Sequence, residues 1–367
     1  MHILSIVGAR PQFVKVAMVA EALRGRREVR HTLVHTGQHY DRTMSDVFFQ
    51  ELPIPAAEHN LEVGSGSHGK QTAALLERTE QVLLNDRPDV VVVYGDTNST
   101  LAGALAAVKL GIPVAHVEAG LRSFNRQMPE EINRVAADHI SNLLFCPTET
   151  ALSNLRNEGI VKSVFLSGDV MLDAVLAFRK LAQEKSTILN RLGVNPSDYL
   201  LLTIHRAENT NSSERVAEIV EFLLNIEQPV VFPMHPRTKN RLESDSTLEL
   251  LTRRLFNSNH VRVIEPVSYL DMLALEDHAR MVLTDSGGVQ KEAYFLGVPC
   301  LTVRGETEWV ETLIGGWNRL LEPSPKSLPV IESLWTNNGS SPTGRPDLAL
   351  FGGGKAAENI VNELLRN

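Results

Sequence analysis

Short runs of Val, Ile and Leu recur along the chain, and several are apolar at successive rather than alternate positions. Strands covered on both faces carry this pattern. It predicts strands near residues 3–7, 32–35, 90–94, 114–117, 143–146 and 164–166. A second series falls near residues 199–204, 230–233, 261–264, 281–284 and 300–303. Helical patterns lie between them. The run at 14–23 follows Pro11, a helix-start residue, and the Ala- and Leu-rich run at 100–110 has Ser99 or Thr100 as its cap. A third begins at Val289, after Gly287-Gly288. Such alternation implies right-handed βαβ units, and so an α/β protein with doubly wound parallel sheets. The helical, charged stretch 170–198 separates the two series and holds the domain boundary. Turn signals at 340–344 and at Gly352-Gly353-Gly354 precede a last helical pattern at 356–365.

At 367 residues the chain is long for one core and comfortable for two. Its formal net charge of -8 argues against a sequence-independent grip on nucleic acid. A small anionic ligand remains open, since a local Arg or helix N-terminus outweighs the global sign. The two cysteines, Cys146 and Cys300, follow apolar runs and read as buried free thiols. No run approaches the ~20 apolar residues that span a bilayer, and the N-terminus lacks a signal-peptide pattern. The expectation is a cytoplasmic protein with no membrane partner.

Nearly every strand ends in a cluster of Gly, acid, His or Arg, where open parallel sheets bind ligands. The strongest anion site is Thr284-Asp285-Ser286-Gly287-Gly288. Its glycines permit close backbone approach, and the following helix offers free N–H groups to a phosphate or diphosphate. Glu292 stands where a carboxylate reaches ribose hydroxyls. Arg10, in Gly8-Ala9-Arg10-Pro11, suits an anion, since Arg binds phosphate bidentately. There is neither a P-loop nor a dinucleotide-binding glycine pattern, so no redox cofactor is expected. Asp96 and Glu118 follow strands, and Glu130 and Glu131 open a helix. Carboxylates that share a crevice push each other's pKa values apart and can divide acid and base roles. Asp96 also reads as a helix cap, and Glu131 as a helix N-terminal charge. His205 and His235 end strands and read as site residues, while His35 and His39 flank Thr36-Gly37-Gln38 near the same edge. His116, inside an apolar strand, reads as core. No metal-ligand spacing is present.

These motifs, in this order, resemble the non-hydrolysing UDP-N-acetylglucosamine 2-epimerase family. The resemblance covers residues 8–15, 35–46, 95–100, 116–123, 129–134, 203–209, 234–236 and 284–292. It implies the GT-B architecture, two Rossmann-like domains facing across a cleft, here 1–172 and 173–351, with a terminal helix at 352–367 returning to the first. It also implies a homodimer, a UDP-sugar substrate, and neither cofactor nor metal. Such enzymes invert C2 of the sugar by eliminating UDP to a glycal and adding it back. By the same resemblance Asp96, Glu118, Glu130 and His205 are the catalytic residues. Arg10, Lys15, Arg206, His235, Met272, Ser286, Gly287, Gly288 and Glu292 bind substrate.

Two departures stand out. The run Arg304-Gly305-Glu306-Thr307-Glu308-Trp309-Val310-Glu311 resembles a branch that includes epimerases for diacetamido-uronates. The strip Gln38-His39-Tyr40-Asp41 only partly matches an activator site of some relatives. The rival readings are a GT-B glycosyltransferase, a hydrolysing epimerase and a nucleotide-sugar-binding regulator without turnover.

Overall fold

The computed structural model describes residues 1–38, 48–336, 342 and 344–366. His39, Tyr40 and Asp41, and Ser340, Ser341 and Thr343 of the expected turn, lie outside the described residues. Two compact units divide the chain. One comprises Met1–Leu176 with Asp347–Asn367, the other Ala177–Pro346.

The first unit is a seven-stranded parallel sheet. Its elements run β1 (His2–Val7), α1 (Arg10–Leu23), β2 (Arg30–His35), β3 (His59–Asn60), α2 (His68–Asp86), β4 (Val90–Tyr94), α3 (Asn98–Lys109), β5 (Val114–Val117), α4 (Pro129–Ile140), β6 (Leu143–Cys146), α5 (Glu149–Asn157) and β7 (Val164–Leu166). The strand order is β3-β2-β1-β4-β5-β6-β7. Every residue of β4, Val-Val-Val-Val-Tyr, is buried, because helices cover both faces. Leu4, Ile6, Val91 and Val93 pack with Ala104, Ala106 and Ala107 of α3 and Leu83 of α2 in one apolar layer.

Helix α6 (Val170–Lys185) carries the chain past the unit boundary. The second unit then runs α7 (Ile188–Leu192), β8 (Leu200–Thr203), α8 (Ala207–Thr210), α9 (Ser213–Leu224), β9 (Val230–Pro233), α10 (Pro236–Ser244), α11 (Glu249–Phe256), β10 (Val261–Ile264), α12 (Tyr269–His278), β11 (Met281–Thr284), α13 (Gly287–Leu296), β12 (Cys300–Thr302), β13 (Asn318–Leu320) and α14 (Leu328–Thr336). Its sheet is again parallel, in the order β10-β9-β8-β11-β12-β13. Helix α15 (Ala356–Leu364) closes the chain within the first unit. The Asp173 carboxylate accepts from its first two amides, Ala356 N at 3.1 Å and Ala357 N at 2.8 Å.

Each sheet reverses its order once, between β1 and β4 in the first unit and between β8 and β11 in the second. Open α/β sheets bind ligands outside the strand ends at such a reversal. Both cysteines are buried and free. Among the described residues, no helix is long and apolar enough to cross a membrane.

Candidate active site

In the first unit the reversal brings the loop after β1 beside the loop after β4. Gln12 fastens them. Its Oε1 accepts from Gly8 N at 2.8 Å and Ala9 N at 3.0 Å, and its Nε2 donates to Tyr94 O at 2.7 Å. Arg10, the first residue of α1, lies over the Phe48 ring at 5.4 Å. Lys15, a turn and a half further on, is buried and ion-pairs with Glu118. Glu118 directly follows β5 with φ +74°. A side chain in this left-handed region costs about 1–2 kcal/mol, and such strain clusters at functional sites.

Asp96 follows β4 and pairs with Arg134 of α4. It does not cap α3. That helix starts at Asn98, and neither Ser99 nor Thr100 is its cap. Thr97 is extended there, and its hydroxyl accepts from Thr100 N at 3.3 Å. The start comes earlier than its apolar run suggests, so the expected caps lie inside the first turn.

Glu130 and Glu131 sit together in the first turn of α4. Glu130 is half-buried. Glu131 is buried and anchors the loop before it. Its Oε1 accepts from Phe124 N at 2.9 Å, and its Oε2 from Ser123 N at 2.9 Å, Ser123 Oγ at 3.0 Å and Arg134 Nη1 at 3.1 Å. Arg134 therefore ties this loop and Asp96 to one guanidinium.

A buried network supports the strand ends. His116 Nε2 donates to Gly95 O at 2.7 Å, and its Nδ1 lies 2.7 Å from Asp138 Oδ1. Asp138 Oδ2 accepts from Gly120 N at 3.0 Å and Arg122 Nη1 at 2.7 Å. Burial alone would push the Asp138 carboxyl up, but His116 and Arg122 hold it below the usual carboxylate range. His116 is core, wholly enclosed. His35 stacks on Phe13 with ring centroids 5.1 Å apart.

In the second unit, Asp285 is fully buried after β11 and binds the loop after β8. It accepts from His205 N at 3.0 Å, Arg206 N at 2.8 Å and Asn209 Nδ2 at 3.1 Å. The His205 and His235 rings lie 5.2 Å apart, and His235 caps α10 by accepting from Arg237 N at 3.1 Å. Ser286 is the N-cap of α13. A Cβ on Gly287 would stand 2.7 Å from Glu308 Oε1 and 3.3 Å from Trp309 Nε1, so any larger residue would displace the Glu308 carboxylate. Arg304 joins the cluster, 3.0 Å from Glu208 and 2.9 Å from Glu308. Lys291 sits 3.6 Å above the Trp309 ring. The helix N-terminus, its serine and the nearby Arg206 make an anion cradle.

Glu292 of α13 is buried, and Met272 of α12 is half-buried. Beside Glu292 lies Glu276, fully enclosed, with neither carboxyl oxygen hydrogen-bonded among the described residues. Burial, then repulsion from Glu292 and Asp277, hold its carboxyl well above the usual range.

Sequence reasoning missed Arg134, Asp138, Asp285 and Glu276 as individual residues. Arg134 gave a local signal in its i,i+3 spacing from Glu131, and Asp285 in its place directly after β11 within the Thr284–Gly288 cluster. Among the described residues, no group of three or more His, Cys, Asp or Glu is arranged to hold a metal.

The sequence profile of the UDP-N-acetylglucosamine 2-epimerase family matches residues 21–365. The chain belongs to this family of UDP-sugar isomerases. A UDP-N-acetylglucosamine 2-epimerase homologue of Methanococcus maripaludis is 50% identical over 368 residues, covering 100% of both chains. The UDP-2,3-diacetamido-2,3-dideoxy-D-glucuronate 2-epimerase of Pseudomonas aeruginosa is 45% identical over 372 residues, again covering 100% of both. The crystal structure of Methanocaldococcus jannaschii UDP-GlcNAc 2-epimerase in complex with UDP-GlcNAc and UDP matches with a TM-score of 0.92 at 44% identity, covering 100% of each chain. The two parallel sheets with flanking helices are those of these GT-B epimerase structures.

Proposed function

We propose that this chain is a non-hydrolysing 2-epimerase that inverts C2 of a UDP-2-acetamido sugar, with UDP-GlcNAc as substrate. The N-terminal unit, with the terminal helix, carries the proton chemistry, and the C-terminal unit holds the nucleotide. The observation that carries the reading is the pair of strand-end carboxylates, Asp96 and Glu118, each matched to a buried cation, Arg134 and Lys15. Opposite charge at this range favours ionised carboxylates, as proton acceptors and as partners for a cationic sugar require.

In the reaction the C1–O bond breaks and UDP leaves with the electron pair. A carboxylate takes the C2 proton, and a C1=C2 double bond forms. A proton then returns to the other face of C2, and UDP adds back at C1. The α13 N-terminus with Ser286, Gly287 and Gly288, aided by His205, Arg206 and His235, stabilises the departing diphosphate. Arg10 is a cation for the anionic substrate. Glu292 holds the ribose, and Met272 borders the base. Asp96, Glu118 and Glu130 share the proton transfers and stabilise positive charge on the sugar. The enzyme works as a homodimer in the cytoplasm; two unbridged thiols suit a reducing compartment.

A second reading, a UDP-diacetamido-uronate as substrate, is favoured by the run from Arg304 to Glu311 and by the Pseudomonas relative. Incubation with each UDP-sugar in deuterated water, followed by NMR at C2, tests both. The expected result is a reversible mixture of epimers with deuterium at C2 and little net UDP release. Net UDP release would instead indicate hydrolysis, and an inert C2 with both donors would indicate glycosyl transfer or binding alone.

A further inference from the structure

Phe124 is the most exposed phenylalanine among the described residues, with 74% of its surface open. Its φ is +60°, a conformation that bulky residues rarely adopt. The strain is held by a buried acid: Glu131 accepts from the amides of both Ser123 and Phe124, each at 2.9 Å. The rest of the loop is also fastened. Asn125 N donates to Ser123 Oγ at 3.3 Å, Gln127 N to Asn125 Oδ1 at 3.1 Å, and Met128 N to Asn125 O at 3.0 Å. A turn of this shape needs no side chain at Phe124, and glycine would form it with less strain. A rigid loop that displays a large ring to solvent pays twice, in backbone strain and in exposed apolar surface. Neither helps the chain fold.

The loop is bonded directly to the acid cluster. From Phe124 N the chain of partners runs to Glu131, to Arg134, and to Asp96. That cluster consists of two ion pairs, Asp96 with Arg134 and Glu118 with Lys15. Such polar groups suit the hydroxyl and reacting parts of a sugar, whereas an aromatic ring suits its C–H face and an acetamido methyl group. We infer that Phe124 is a specificity-determining contact, its ring packing on the apolar face and acetamido methyl of the UDP-sugar during turnover. This rests on the epimerase reading and adds to it the group that recognises the sugar.

Phe124→Gly and Phe124→Ala test it, against wild-type enzyme and the UDP-acetamido sugar that wild type turns over best. KM for that sugar, the inhibition constant for UDP alone, thermal midpoint and elution volume are measured. Loss of the ring is expected to raise KM about tenfold, the scale of one lost aromatic contact with its buried area. UDP inhibition and elution volume stay unchanged. Phe124→Gly keeps or raises the thermal midpoint, since it relieves the strained turn, and Phe124→Tyr keeps the wild-type KM. An unchanged KM in the Gly variant overturns the inference. So does a fall in thermal midpoint that tracks the catalytic loss, or a change in assembly, which would make the ring structural or interfacial. If wild type epimerises no UDP-acetamido sugar, the epimerase reading itself fails and takes this contact with it.

Discussion

Replacing Glu118 with Gln separates the proposed catalytic role of the acid at the end of β5 from its structural one. Its side chain is 9% exposed and that of its partner Lys15 7%. Removing the charge leaves a buried ammonium unmatched, a loss of about 3–5 kcal/mol for pairs of this kind. The Gln carbonyl still accepts from the lysine, so the low end applies. A domain with 5–15 kcal/mol of stability stays mostly folded after such a loss. Unfolding therefore cannot account for a drop in turnover of roughly 10²-fold or more, the scale expected for lost acid–base catalysis. Urea titration reads the first quantity, and deuterium entry at C2 reads the second. The double variant Lys15→Met with Glu118→Gln removes both charges. Its stability should recover to within about 1 kcal/mol of wild type, because replacing a buried pair with neutral groups is often near neutral. Its turnover should remain as low as that of the single variant. Recovery of turnover along with stability would show that Glu118 acts only as the counter-ion of Lys15, and the proposed chemistry at this strand end would be wrong.

The raised pKa of the Glu276 carboxyl makes stability depend on pH. Its folded pKa is raised, so its contribution is fully present below the ordinary Glu range and is lost as pH rises through the folded value. Glu276→Gln should match wild type in urea titrations at acid pH and exceed it by a widening margin in alkali; parallel curves would contradict the assignment. At the C-terminal segment, Gly352→Ala places a Cβ 2.7 Å from Gly168 Cα at φ +81°. Left-handed strain plus overpacking should cost roughly 2–4 kcal/mol. Gly353→Ala, at φ +63° with open space around it, should pay only the backbone part. Equal losses in the two variants would rule out the close Gly168–Gly352 approach as the source.

Where the sequence was legible, the signal was local. Strands such as β4 and β11 stand out because a parallel strand covered on both faces is one apolar run. Asp96, Glu118 and the Gly287-Gly288 pair stand out because each begins within three residues of the end of such a run. The strands that escaped, His59–Asn60 and Asn318–Leu320, are short and polar, with no run to detect. What the sequence hid is mainly the choice of partner. Glu130 and Glu131 are adjacent, yet the second spends its carboxylate on two amides, a hydroxyl and Arg134. Asp96 and Asp285 both follow strands in similar clusters. Asp96 meets a guanidinium, whereas Asp285 is consumed by the amides of His205 and Arg206. Position at a strand end is set by the chain's own periodicity. Their hydrogen-bond partners lie 38 or 80 positions away, which no local pattern specifies. A carboxylate at the end of a parallel strand is thus available for chemistry only when its nearest donors leave a face free. In this chain that choice of partner is what distinguishes the acids proposed for proton transfer from Glu131 and Asp285, which hold loops in place.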